Sequence, residues 1–567
     1  MTGKRFISRL RSGFDGSVEL SLREVAIVAF CSILFFMGWA VLAGQDVNWD
    51  LRNYHYYNVF AWFHGRTTYD IAPAQRQSWL NPLVHVPSYL LIAHTRPVIA
   101  GALLGVFAGV NFVLIYVLTR LVVRIHGLVP AILIGLLCAI VGVSGPEFLI
   151  AVGRTSSDTA VSIPVLGSLL AICWGYRPGA TPRAQGIRYW LAGLLLGAAC
   201  GLKLTAAIYV AGFTMSLLLL WPWFRFHLRH FAFYAAGGIL GFLATGGYWS
   251  WFLWAKYRNP VFPFYNDVFH SPWAEPASFQ DTRFLPKTVA AAIRYPFDWL
   301  MGLYPTNEVP WRDGRFALLF ILILASILAL AGHRVKSHFS AGFNKAKTLS
   351  LLVERILFAF LLLSCLISYA LWIAMFSIQR YLMPLGLLSG LVLFLALDRL
   401  LPSNTSKLIS LAALALFCVL WTRTFETERI PYGRDWFGVE LTPVVSVPNT
   451  LFIMAGGNGP PISYVIPFLP STARVMRLSG NMPLELGTQL GREAIRVIAT
   501  HAGPIRTLGN SPIGDTDRER LACCFGLLLD ESDCVTFHSH FDEFTSCRLR
   551  RAEQPISPGR ALGSASP

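Results

Sequence analysis

Apolar runs of membrane-crossing length recur down the whole chain and leave few folds open. The first is Val25–Ala43. Pro97–Val123, Val129–Pro146, Thr159–Tyr176, Tyr189–Pro222, Phe231–Ala255, Phe316–Ala331, Ile356–Phe376, Tyr381–Leu397 and Leu408–Trp421 follow it. In hydrocarbon no water satisfies the backbone, so such runs must pair their N–H and C=O groups internally, as helices. Charge is correspondingly scarce. Only 14% of the 567 residues are charged, against about 25% in a soluble globular domain. The net charge of +16 falls largely beside the ends of the apolar runs. Lys4, Arg5, Arg9, Arg11 and Arg23 precede the first. Arg120, Arg124 and His126, then Arg177, Arg183 and Arg188, then the segments Trp223–His230 and His333–Lys347, mark later ends. Basic ends belong in the cytoplasm. With Tyr189–Pro222 counted as two short helices, the alternation predicts about eleven spans. The first run has no small-residue cleavage site after it and reads as an uncleaved helix. No basic stripe stands on a soluble domain, so nucleic acid is not an expected partner.

The expected fold is therefore a polytopic α-helical membrane protein of about eleven transmembrane helices, with a small extracytoplasmic α/β lobe at the C-terminal end. Residues 1–24 form a basic cytoplasmic N-terminus, 25–422 the transmembrane domain with outer loops 45–96 and 256–315, and 423–567 the lobe. The lobe is expected from short apolar runs, Thr450–Ala455, Ala473–Leu478 and Pro504–Gly509, separated by Gly and Pro and accompanied by the helix-like stretch Leu484–Ala502. The turn Gly456–Pro461 is an incomplete dinucleotide pattern. Leu83–His94 contains Pro87 and is too short to span, which predicts a helix at the membrane surface.

The polar stretch Gln45–Pro82 concentrates chemistry on the outer side. It holds Asp46, Asp50 and Asp70 among Arg52, Arg66 and Arg76. A helical reading of its start puts Asp46 and Asp50 on one face. A carboxylate there can act as general base toward a hydroxyl or hold a divalent cation such as Mg or Mn through oxygen. Tyr54, His55, Tyr56, Tyr57, Trp62 and Trp79 offer either interfacial anchors or a substrate platform. His55, His64, His85 and His94 lack zinc spacing. Lys203 lies inside an apolar hairpin, where an ammonium needs a partner; a lipid phosphate and the headgroup layer are the two alternatives. Arg380 and Tyr381 sit where one apolar run turns into the next, and an arginine there can clamp phosphate bidentately. Arg154 and Asp158 occupy another outer turn, as a structural pair or as part of a site. The aromatic loop Tyr257–Trp273 is placed to cover a lipid-binding cavity. Six of the ten cysteines lie in apolar runs. Cys523, Cys524, Cys534 and Cys547 lie in the lobe, where an oxidising compartment would permit disulfides of open pairing.

Four segments in order carry a family resemblance. They are Asp50–Arg66 (DLRNYHYYNVFAWFHGR), Leu80–Leu91 (LNPLVHVPSYLL), Gly193–Ala206 (GLLLGAACGLKLTA) and Arg380–Pro384 (RYLMP). The set resembles the GT-C superfamily, polytopic glycosyltransferases that use polyprenyl-phosphate-linked sugars, in its protein-mannosyltransferase-like and aminoarabinose-transferase-like branches. The likeness covers roughly residues 25–400. It implies transfer of a sugar from a polyprenyl-phosphate donor to a glycan, lipid or protein acceptor at the outer face of the inner membrane. By it, Asp50 is the catalytic acid of the first loop, with Asp46 and Asp70 as alternates. Lys203, Arg380 and Tyr381 contact the donor phosphate, and Arg52, Tyr54, His55, Arg154 and Asp158 are placed for substrate. Many relatives carry Asp-Glu or Glu-x-Asp where this chain has Asp50-Leu51 with Asp46 upstream, which leaves metal dependence open. Two other readings remain. A transporter or flippase of a lipid-linked or anionic substrate calls for charges in mid-membrane and an internal repeat. A non-catalytic assembly partner would use the tail to bind proteins.

Overall fold

The computed structural model describes residues 20–176, 181–222, 228–336, 345–424, 428–456, 459–482 and 484–552. Of the basic segments expected in the cytoplasm, residues 1–19, Arg177, 223–227 and 337–344 lie outside these, as do 457 and 458 of the Gly-rich turn. The chain divides into two compact units. The first comprises Met1–Ala43, Ala102–Gly247 and Asp281–Thr427, and the second Gly44–Gly101, Tyr248–Gln280 and Glu428–Pro567.

The first unit is helical. Among the described residues of the whole chain, seven helices are long and apolar enough to cross a membrane, from Leu22–Ala43 to Asn404–Trp421. The sequence predicts about eleven spans, and two of the other runs form helices too short to cross. Val129–Pro146 yields a helix of only 16 residues, Leu128–Val143, which stops at Ser144–Gly145. Tyr189–Pro222 divides at Lys203, whose backbone is extended, into Pro182–Leu202 and the 13-residue Ala207–Leu219. Pro182–Leu202 packs on Leu228–Phe242 through glycine. A Cβ on Gly193, Gly197, Gly237 or Gly241 would collide with a carbonyl of the facing helix. Hydrocarbon gives no hydrophobic drive between helices, so this close backbone approach supplies the packing instead.

The second unit is built on a five-stranded sheet. Its strands are β1 (Leu451–Met454), β2 (Arg474–Arg477), β3 (Ile505–Leu508), β4 (Leu527–His538) and β5 (Glu543–Arg551), in the order β2-β1-β3-β5-β4. β1 runs parallel to β2 and β3, while β5 is antiparallel to β3 and β4. The crossover from β2 to β3 is the helix Gln489–Thr500. Thr488 caps it, with Oγ1 accepting from the Gly491 amide at 3.1 Å. Leu490, Ala494, Val497 and Ile498 recur at helical spacing and join Leu451, Ile453 and Ile505 in one core. The lobe does not stop at residue 423. The same core takes in Ile71, Trp79, Trp249 and Phe262, and Ile71 extends the sheet edge beside β2, its N–H donating to Val475 O at 2.9 Å. The expected outer loop 256–315 also divides, its first part joining this unit and residues from Asp281 the other.

Of the four lobe cysteines, Cys534 and Cys547 are bonded across β4 and β5, and Cys523 and Cys524 are free. The bridge closes a loop with a sequence separation of 13, which stabilises by about 3 kcal/mol through the unfolded chain. Replacing both cysteines by serine is expected to lower the melting temperature of the lobe by that equivalent, read as the loss of the wild-type shift on adding reductant.

Candidate active site

The three acids of the first loop, all in the second unit, have different surroundings. Helix Leu22–Ala43 ends at Gly44, whose φ of +94° favours glycine and whose Cβ would meet Ile430 O at 2.8 Å. The chain then runs extended, so the expected helical face shared by Asp46 and Asp50 does not form. Gln45–Asp46 is a two-residue strand, paired with Arg429–Ile430. Asp46 is fully buried and accepts from the Asn48 amide at 3.1 Å and from Asn48 Nδ2 at 2.8 and 2.6 Å. Asp70 is held more tightly. Arg66 grips it through Nε and a terminal nitrogen at 2.9 and 2.8 Å, the Val475 amide donates at 2.9 Å, and so does the Tyr57 hydroxyl. Burial pushes the Asp70 carboxyl up, while the Arg66 guanidinium and these donors pull it back. Asp50 differs from both. It is half-buried, at the start of the helical turn Leu51–His55, and so is the acid that solvent reaches.

The other residues of this loop are mostly tied into the unit. Arg52 donates twice to Asp542, at 2.5 and 2.6 Å, and Asp542 also accepts from the Tyr464 hydroxyl at 2.6 Å and Asn510 Nδ2 at 2.8 Å. Tyr54 is buried edge-on to His55 and His85, whose rings stack with centroids 3.8 Å apart. Asp542, nearly 500 positions from its arginine, had no signal in the sequence. Among the described residues no group of three or more His, Cys, Asp or Glu side chains could hold a metal ion, these acids included.

In the first unit the structure brings together residues that the sequence singled out separately. Lys203, at the break between two helices, donates to Asp158 Oδ1 at 2.6 Å. Asp158 lies in the first turn of helix Ser157–Gly175, where the helix dipole favours a carboxylate. The ammonium also stands 5.0 Å from the centroid of the Tyr381 ring, and the Arg380 guanidinium lies 5.6 Å from the same ring. Tyr381 is fixed by its backbone, whose carbonyl accepts from the Tyr209 hydroxyl at 2.5 Å. Lys203 thus pairs with Asp158 across 45 positions. Arg154 lies buried in the turn just before. A second ionic cluster of this unit went unread in the sequence: Arg315 bridges Asp313 and Glu147 with no exposure of its side chain. The signal that could have found it is the pair Asp313 and Arg315 opening an apolar run.

No protein-family model and no curated protein matches the chain. Two solved structures of ArnT from Cupriavidus metallidurans align over nearly its whole length. The form bound to undecaprenyl phosphate is 11% identical and covers 93% of this chain and 98% of that one, at a TM-score of 0.43. The apo form is 11% identical and covers 92% and 97%, at 0.42. Agreement at this level identifies no family.

Proposed function

We propose that the protein is an integral-membrane glycosyltransferase that takes a sugar from a polyprenyl-phosphate donor and passes it to a hydroxyl of a glycan, lipid or protein at the outer face of the membrane. The observation that supports this most is that Lys203, paired with Asp158, also reaches the ring of Tyr381, which Arg380 adjoins, from helix ends far apart in sequence. Cations held at helix ends beside apolar helices are the surroundings that a lipid phosphate needs. The disulfide Cys534–Cys547 supports an oxidising, extracytoplasmic face for the lobe. In the reaction, the acceptor hydroxyl gives its proton to a general base and its oxygen bonds to the anomeric carbon. The bond from that carbon to the phosphate oxygen breaks, and the electron pair stays on the phosphate, stabilised by Lys203 and Arg380.

Proteoliposomes loaded with a radiolabelled polyprenyl-phosphate sugar test the reading. Transfer of label to an acceptor is the expected result. Movement of the labelled lipid across the bilayer without transfer would replace it with a transporter. In the same assay the double variant Lys203→Gln/Asp158→Asn keeps the pair neutral and hydrogen-bonded. It is expected to raise the donor KM by about tenfold, as charge-assisted phosphate contacts of about 1.5–3 kcal/mol imply, with a smaller fall in kcat.

A further inference from the structure

The second unit contains an aromatic cleft of about 120 Å³, lined by Tyr57, Trp79, Trp249, Tyr257 and Trp273. The rings brace one another. Trp249 Nε1 donates to Trp79 O at 2.8 Å, and Tyr257 meets Trp79 and Trp273 edge-on at 5.8 and 5.4 Å. Two polar groups of the lining are left over. Asn58, 3% exposed, spends its amide hydrogens on Gln77 O and Leu80 O, at 2.9 and 3.3 Å. That fixes its Oδ1 as an acceptor, and this buried atom has no hydrogen-bond partner among the described residues, an arrangement that native interiors avoid. Lys256 is exposed at the cleft, 5.1 Å from the Trp273 centroid, and pairs with no carboxylate among the described residues. The acids here are engaged elsewhere: Asp70 by Arg66, and Glu493 by Arg496 and Arg474.

The cleft is narrow and walled by rings, which suits a single ring lying against them. A pyranose has the matching surface. Its C–H face lies on an aromatic ring, and an anionic substituent meets a cation that pairs with no carboxylate among the described residues. We propose that this cleft binds a single pyranose unit bearing an anionic group, with the ring on Trp273 and the anion at Lys256. That this unit belongs to the acceptor rests on the transferase reading; that it binds does not.

Full-length protein in detergent is titrated with methyl β-D-glucuronide and methyl β-D-glucoside, followed by tryptophan fluorescence and saturation-transfer NMR. The expected result is saturable millimolar binding, with the glucuronide about tenfold tighter. Lys256→Gln removes that preference, and Trp273→Ala, at a half-buried position, weakens both sugars by about tenfold or more. Absence of saturable binding by folded wild type overturns the site, as does unchanged affinity in Trp273→Ala. Equal affinity for the two sugars overturns the anionic assignment. Transfer is measured in parallel. Binding without transfer sinks the enzymatic reading and leaves the cleft, whereas transfer with no binding in the cleft does the reverse.

Discussion

Asp50→Asn is expected to lower the initial rate of sugar transfer by about 10²–10⁴-fold, the usual contribution of a general base, while leaving the melting temperature within about a degree of wild type. The substitution keeps size and shape and removes the basic lone pairs. A base must meet the hydroxyl it deprotonates, and of the three acids in the loop only Asp50 is open to solvent. Asp46 is fully buried against Asn48, and Asp70 is enclosed by Arg66, Tyr57 and the Val475 amide. The controls therefore run opposite. Asp70→Asn strips the countercharge from a buried pair, leaving Arg66 its bonds to Ser471 O and Ala473 O, at a cost of about 3–5 kcal/mol, so its loss of activity should follow its loss of folded protein. Rates and melting curves on the same preparations separate the cases. Full activity in a folded Asp50→Asn protein removes Asp50 from the mechanism.

How much of this was legible follows from the range of each interaction. Hydrophobic length and basic ends are local, so most apolar runs could be placed to within a few residues; Leu408–Trp421 falls inside the helix Asn404–Trp421. The lobe strands Leu451–Met454 and Arg474–Arg477 lie inside runs bounded by turn residues. What failed was long-range. Nothing near residue 71 says that it lengthens the sheet edge at residue 476, so the lobe was drawn too small. Lys203 declared its need for a partner, because an ammonium among apolar residues cannot stand alone, but not that the partner was Asp158. The aromatics of Tyr54–Tyr57 were legible as a cluster. Their burial was not, since membrane-surface anchors and a packed core use the same residue types.

Arg315→Leu is expected to abolish folded protein, because Arg315 is buried in the helical unit with its whole side chain committed. All five of its N–H groups are engaged. Nε donates to Asp313 Oδ1 at 3.0 Å, one terminal nitrogen to Gly142 O and Gly386 O at 2.7 and 3.0 Å, and the other to Glu147 Oε1 and Asp313 Oδ2 at 2.8 and 2.7 Å. Removing the guanidinium would take its donors from two buried carboxyls and two backbone carbonyls, leaving Asp313 only the backbone amide of residue 315. Breaking a buried pair alone costs about 3–5 kcal/mol, a large part of the 5–15 kcal/mol that holds a typical domain together. Arg315→Lys keeps the charge but brings three donors in place of a planar five, so it should fold and melt earlier. The acids are not equivalent. Asp313 accepts from Nε, a terminal nitrogen and the Arg315 backbone amide. Glu147 uses one oxygen, its Oε2 lacks a partner among the described residues, and burial pushes its carboxyl up. Glu147→Gln, which imitates the protonated acid, should therefore melt within about a degree of wild type, whereas Asp313→Asn should lose several degrees, as about 1–2 kcal/mol does in a domain of this size. Melting of the four variants in one detergent decides it. If Glu147→Gln proves as damaging as Asp313→Asn, both acids are charged beside Arg315 and the cluster is a full triad rather than one ion pair with a neutral neighbour.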